Sequence, residues 1–454
     1  MKYSQNSSGY DYKKSFIGYA GIQADKKRKE VFETANTEEI YEIKGTKYYI
    51  SKDTPLCDIP NDLKSGDALL FERGGLWRTN GTTISIPDGV ILGAYGTGDK
   101  PKFYGSANNF ADNSLWNKEN DYIWVTNLPY GNVGIMVFNH EAALGVKKWE
   151  MEEVTDNYDY YYDYESKNLY FYYDGDLEAD FDSIEIGTRG DMFCLDSNTV
   201  VDNICVKYTG SHGIVVSSQR DNVKVTNCEV GFIGGSCQFR QVRFGNGIEV
   251  QLGGTNITVK NNWVYQCYDA GITFQSWRGA NMETYYNNID ISENLIEFCY
   301  YGFEFFTTTI RESGIYSEYK NISISNNIFR FSGYAWSYEQ RPDHWMNAHV
   351  RSSQRGWVEP IENFCFSENV FDCSRASIIF WWWKDTKGTL DFPEKMPGVS
   401  AKCNSFYQAP TPDKRCMSYA FEESALAENL EELTKAVKRF DDNPKEIVWI
   451  DKIG

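Results

Sequence analysis

The chain has 454 residues, 41% of them hydrophobic and 24% charged, too long for one average domain and without an apolar run near the roughly 18 residues of a membrane span. Its 45 Lys and Arg against 64 Asp and Glu leave a net charge of −19, a field that repels nucleic acid, anionic membranes and polyanionic sugars. Aromatics reach 16%, with 32 Tyr, 27 Phe and 13 Trp. Exposed rings hold the apolar face of a pyranose, so the expected partner is a neutral oligosaccharide or polysaccharide, with no nucleic acid and no membrane. Oligomeric state is left open.

In chain order, residues 1–45 are polar and charged and read as an N-terminal cap. Residues 46–109 form the first short-strand coils, beginning near Tyr48. From 110 to 190 the pattern changes to a β-rich insert, in which Tyr158 to Tyr173 reads as a hairpin turning at Ser166-Lys167-Asn168. Residues 191–415 carry the main coils. Residues 416–454 form a helical cap, because Leu426, Leu430, Leu433 and Val437 lie on one face of an amphipathic helix between Glu422 and Phe440, and an open solenoid end is a bare strand edge.

The main coils are repeats. Asn256 opens NITVKNNWVYQCYDAGITFQS, Asn288 opens NIDISENLIEFCYYGFEFFTT, Asn321 opens NISISNNIFRFSGYAWSYEQ and Asn363 opens NFCFSENVFDCSRASIIFWW. An earlier copy starts at Asn222 and a worn one at Gly398. A second Asn recurs at 262, 294, 327, 369 and 404, at intervals of 32, 33, 42 and 35 residues. Alternation of period two with no helical pattern between copies predicts several short strands per repeat. Stacked copies place like residues about 4.8 Å apart, so the recurring Asn is expected to form a ladder at a turn.

These repeats resemble the right-handed parallel β-helix proteins of the pectate-lyase-like superfamily. Gly66-Asp67-Ala68-Leu69-Leu70-Phe71-Glu72-Arg73-Gly74-Gly75 and Gly93-Ala94-Tyr95-Gly96-Thr97-Gly98-Asp99-Lys100-Pro101 look like the opening coils of bacterial carbohydrate-active members. The resemblance covers about 60–110 and 190–415. It implies an all-β fold, a right-handed parallel β-helix (solenoid) with a β-rich insert and a C-terminal capping helix. It does not select a reaction, since the fold hosts lyases, hydrolases, epimerases and adhesins.

Aligning the strand after the ladder Asn gives GIVVSS at 213, GIEVQL at 247, GITFQS at 271, GFEFFT at 302, AWSYEQ at 335 and SIIFWW at 377. Ile214, Ile248, Ile272, Phe303, Trp336 and Ile378 are expected inside. Val215, Glu249, Thr273, Glu304, Ser337 and Ile379 point out, and two residues on so do Ser217, Gln251, Gln275, Phe306, Glu339 and Trp381. Long loops after these strands would wall the outward columns into a groove. Glycoside hydrolysis uses two carboxylates, and the catalytic candidates are Glu249, Asp269 and Glu304. Glu249 and Glu304 stand two rungs apart, roughly 9–10 Å. Substrate-binding candidates are Gln251, Thr273, Gln275, Arg243, Trp277, Glu339 and Trp381, with Arg240, Arg278 and Trp383 in the same belt. His212 occupies the same turn as Asp269 two coils earlier, as a general acid or as a hydrogen-bonded turn residue. His344 and His349 follow the 335 strand.

The expected function is a glycoside hydrolase acting on a neutral or amino-sugar glycan. The alternatives are a polysaccharide lyase, which needs cationic help for its uronate, and a non-catalytic glycan-binding solenoid. No cofactor is expected. Asp174-Gly175-Asp176 and the acids of 156–163 could hold Ca²⁺ but lack the full loop pattern. The 11 Cys contain no C-x-x-C pair, so neither a complete disulfide framework nor a zinc site is expected. Unpaired inward Cys suggest the cytoplasm, with secretion after loss of a leader as the alternative.

Overall fold

The computed structural model describes residues 20–276, 282–307, 317–341, 346–354, 361–384, 390–391, 398–410, 415–419 and 423–450. Its strands are short and stack almost entirely in parallel into three long sheets. One coil runs through Gly254–Lys260 in the first sheet, Trp263–Cys267 in the second and Ala270–Gln275 in the third; the next repeats this with Thr284–Ser292, Leu295–Glu297 and Tyr301–Thr307. Successive coils pair residue for residue, as in Ile257↔Ile289↔Ile322↔Phe364 of the first sheet. The chain is a parallel β-helix.

The asparagines explain the turns. Asn262, Asn294, Asn327, Asn369 and Asn404 are fully buried. Each Nδ2 donates to the Oδ1 of the next, at 2.9 to 3.0 Å, and to a backbone carbonyl within the stack. Each Oδ1 also accepts the backbone N–H of the preceding rung, so the buried amide is satisfied at both ends. Asp441 ends the ladder by accepting from Asn404 at 2.7 Å. The first Asn of each repeat, at 222, 256, 288, 321 and 363, lies at φ between 53° and 59°, a left-handed conformation that Asn tolerates better than most residues.

The interior is a column of aliphatic and aromatic side chains. Phe274, Tyr286 and Tyr319 stack at 5.4 and 4.9 Å, and Phe329, Phe371 and Phe406 at 5.3 and 5.2 Å. Among the described residues, many of the aromatics are therefore buried, in the coils and in the insert. All the cysteines described are free thiols.

After Lys102–Tyr104 the chain leaves the coil, builds five- and three-stranded sheets around a separate core that includes Trp116, Phe138, Tyr160 and Phe171, and returns at Phe193–Leu195. The hairpin pairs Asp159–Tyr162 with Asn168–Tyr172. The acids expected at a Ca²⁺ loop serve turns: Asp176 caps the short helix Leu177–Asp180, and Asp159 accepts two backbone N–H groups. Among the described residues there is no cluster of three or more potential metal ligands, and no helix is long and apolar enough to cross a membrane.

Residues 20–45 carry two helices. The helix Gly21–Phe32 lies along the outer face of the second sheet, where Arg28 forms an ion pair with Glu297 at 2.7 Å. At the C-terminal end the helix is Leu430–Val437, shorter than the periodicity suggests. Asn429 caps it, and the preceding Glu423–Leu426 pairs antiparallel with Arg415–Tyr419. Leu433, Val437 and Phe440 close the core.

Candidate active site

The third sheet places Val215, Glu249, Thr273, Glu304 and Arg351 side by side in consecutive coils. Glu249 and Glu304 thus share one column with Thr273 between them. The column faces away from the core but is covered: Glu249 and Glu304 are each 2% exposed and Thr273 is fully buried. The expected open groove is instead an enclosed polar belt. Gln251 and Gln275 flank it, half-buried and paired across adjacent rungs. Gln275 Nε2 donates to Glu304 at 2.8 Å, and Gln251 Nε2 makes a longer contact to Glu249 at 3.4 Å.

The two carboxylates sit in opposite electrostatic settings. His212 Nδ1 lies 2.8 Å from Glu249 Oε2, and Asn246 Nδ2 donates to the same oxygen at 3.0 Å. Burial disfavours both charges, but their mutual attraction outweighs it. His212 is lifted to about 9, and Glu249 is held below the usual carboxylate range. The Asn246 backbone N–H also points at Nδ1, at 3.1 Å, a contact suited to neutral imidazole; the raised pKa favours the imidazolium, with Nδ1–H directed to the carboxylate. For Glu304, burial raises the pKa. Arg351, whose Nη1 is 2.5 Å from Oε1, opposes the rise without cancelling it, and Asp269 adds to it.

Asp269 stands in the turn before its strand, accepts the Gly245 N–H at 3.1 Å and is ion-paired with Arg341. The Arg341 guanidinium packs over Tyr300, 4.0 Å from the ring centre, and Arg351 over Tyr301 at 4.4 Å. His212, Arg341 and Arg351 complete the belt. Sequence reading included His212 only as a minor candidate and missed both arginines.

Three expectations fail here. Residues 335–340 are not a strand of the stack. Trp336 bonds the coil two turns earlier through Gln266, by its backbone N–H and its indole N–H, and Tyr338–Gln340 is a 3₁₀ turn. The rung is Ala348–Gln354, which puts Arg351 where Ser337 was expected. Glu339 is consequently outside the column, 3.8 Å from Arg375. Secondly, Val350 pairs with Ile379 and Ser352 with Trp381. The last strand is one residue out of the expected phase, and Trp381 continues the register of inward Phe274 and Phe305; its side chain lies outside the described residues. Thirdly, Arg243 is buried and bonded to the Gly235 and Gly134 carbonyls and to Gln340 Oε1 at 2.6 to 2.8 Å. It ties insert, hairpin and loop together rather than facing a substrate.

His349 is also structural, buried beside Ser332 Oγ at 2.9 Å and depressed to about 3 by burial. Arg240 is exposed at the tip of the 236–244 hairpin, over Phe239. Trp277, Arg278 and His344 lie outside the described residues, as does the side chain of Trp383. A cavity of about 480 Å³ at the N-terminal end, lined by Leu56, Ile59, Leu69, Phe71 and Ile86 among others, has no acidic residue in its wall and is not this site.

No family model and no curated protein matches the chain. Among solved structures it is similar to XylC in complex with xylose, at 11% identity and a TM-score of 0.44, over 89% of this chain and 83% of that one. It is similar to the GH136 lacto-N-biosidase of Eubacterium ramulus at 12% and 0.39, over 91% and 68%. A polygalacturonase from Erwinia carotovora ssp. carotovora matches at 11% and 0.36, over 79% and 89%. Likenesses this distant assign no residue.

Proposed function

We propose that the chain is a glycoside hydrolase in which Glu304 is the proton donor and Glu249 the base. One observation carries this reading: two buried carboxylates in one column are pushed in opposite directions, Glu304 upward by burial and Glu249 downward by His212. Environments that split a carboxylate pair in this way divide the acid and base roles. Glu304, whose hold on a proton burial strengthens, gives its proton to the leaving glycosidic oxygen. Glu249, kept ionised by His212, takes a proton from the water that attacks the anomeric carbon. Two rungs at about 4.8 Å bring their separation near the ~6.5–9.5 Å that leaves room for water, so the product should have inverted configuration. Thr273 Oγ1, buried between them without a hydrogen bond among the described residues, is suited to a sugar hydroxyl. The −19 charge favours a neutral or amino-sugar glycan.

A second reading rests on Arg341 and Arg351. Two guanidinium groups beside carboxylates are what a lyase needs to neutralise a uronate. Incubation with neutral and uronate-containing oligosaccharides separates the readings. Hydrolysis adds one water across the cleaved bond. Elimination adds none and leaves a C=C bond that absorbs in the ultraviolet. Neutral-glycan cleavage with water addition supports the proposal; ultraviolet-absorbing products from uronates alone would overturn it.

A further inference from the structure

Strand alternation divides the rings of the tyrosine-rich hairpin in the insert. Tyr160, Tyr162, Leu169 and Phe171 are buried in the insert core. Tyr161, Tyr170 and Tyr172 alternate with them, point to the opposite face and are only half-buried. The five-stranded sheet thus turns one face to its core and one outward. On the outward face Tyr161, Tyr170, Val125 and Asn117 make one row across four strands, about 14 Å long at about 4.8 Å per strand. Asn117 at its end is exposed. Tyr172 follows Tyr170 two residues on, and beside it stands Tyr122, 44% exposed.

The four tyrosines have chemistry to spare. Tyr122 and Tyr172 are parallel with ring centres 5.4 Å apart, and Tyr161 and Tyr170 are 6.2 Å apart. These spacings are wider than the 4.1 Å of the buried Trp263–Tyr265 pair, so the rings overlap only in part. None of the four hydroxyls has a hydrogen-bond partner among the described residues. Glu150, Glu152 and Asp163 lie near enough to Tyr161, and Asp156 and Asp174 to Tyr172, to act on the phenols. An anionic ligand is repelled by such a rim. Rings that recur at strand spacing suit a ligand that itself repeats.

We propose that this face is a glycan-binding surface, on which a neutral β-1,4-linked oligosaccharide lies across the Tyr161–Tyr170–Val125–Asn117 row with Tyr172 and Tyr122 alongside. Equatorial linkages keep such a chain extended and set its apolar C–H faces along its length, where successive sugars meet successive strands. The tyrosine rings take the C–H faces, and their hydroxyls with the Asn117 amide take the sugar hydroxyls. Tyrosine has few torsions to freeze on contact, so little of the binding is lost to ordering. The surface belongs to the insert's own sheet, not to the Glu249–Glu304 belt, and does not depend on the hydrolase reading.

Isothermal titration calorimetry with cellohexaose, xylohexaose and hexagalacturonate tests this on the wild type, Glu304→Gln and the double variant Tyr161→Ala/Tyr170→Ala. Cellohexaose or xylohexaose is expected to bind with a dissociation constant of about 1 mM or tighter, equally in Glu304→Gln. Hexagalacturonate should bind at least about tenfold more weakly, and the double variant should lose about tenfold or more. Hydrogen–deuterium exchange of the wild type locates the site without a variant: the neutral hexasaccharide that binds should slow exchange in peptides covering 122–127 and 159–172. The proposal is overturned if neither neutral hexasaccharide binds the wild type, if hexagalacturonate binds as tightly, or if a natively folded double variant binds like the wild type. It is equally overturned if Glu304→Gln abolishes the binding, or if exchange slows only outside the insert. The exchange arm decides even where the double variant fails to fold.

Discussion

His212 Nδ1 and Glu249 Oε2 form a buried ion pair 2.8 Å apart, across one rung of the third sheet. The pair has a pH signature. Because the folded His212 pKa is raised from 6.5 to about 9, its contribution is fully present below pH 6.5 and is lost as pH rises through about 9. Denaturation of wild type and His212→Gln should differ by on the order of 3 kcal/mol at pH 6, with the gap shrinking towards pH 9. A gap that grows with pH would refute the charged pair.

The same pair sets the activity profile. Glu249 is held low and Glu304 high, so kcat/KM should be bell-shaped, rising as Glu249 ionises and falling as Glu304 loses its proton. In His212→Gln the acidic limb should move to higher pH while the alkaline limb stays. Movement of the alkaline limb alone would assign the proton donor elsewhere.

Arg243 offers a test of structure against recognition. It joins Gly134, Gly235 and Gln340, so Arg243→Met should cost on the order of 3 kcal/mol in denaturation and leave KM within about twofold. Unchanged stability with a raised KM would restore it to the substrate site.

The two asparagine series should respond differently. Asn327→Ala removes a buried amide that serves Asn294, Asn369 and the Ile291 carbonyl, leaving unsatisfied groups, and should cost about 3 kcal/mol. Asn256→Gly, at an exposed turn with φ 56°, should cost below about 1 kcal/mol because glycine accepts that conformation. Chemical denaturation of both variants reads the difference.

The ladder and the Glu249–Thr273–Glu304 column were legible because a fixed repeat with period-two alternation defines register. The errors have local causes. Ala335-Trp336-Ser337-Tyr338-Glu339-Gln340 alternates like a strand, but the 42-residue interval from Asn327 to Asn369 admits a detour before the true rung. Ser377-Ile378-Ile379-Phe380-Trp381 has no polar residue after Ser377 to mark its phase, so a one-residue slip passes unnoticed. Arg351 was missed with its strand. Enclosure of the belt was not legible, since outward direction in a strand says nothing about what covers it.

The central claim is that Glu304 donates the proton and Glu249 activates water. Its most direct measurement is turnover by Glu304→Gln on a natural glycan and on an aryl glycoside with a good leaving group, with folding followed by circular dichroism. The account predicts an unchanged spectrum, a loss of about 10²–10⁴-fold on the natural linkage, and a far smaller loss on the aryl glycoside, whose departure needs no proton. Wild-type turnover of the natural glycan by Glu304→Gln would contradict it.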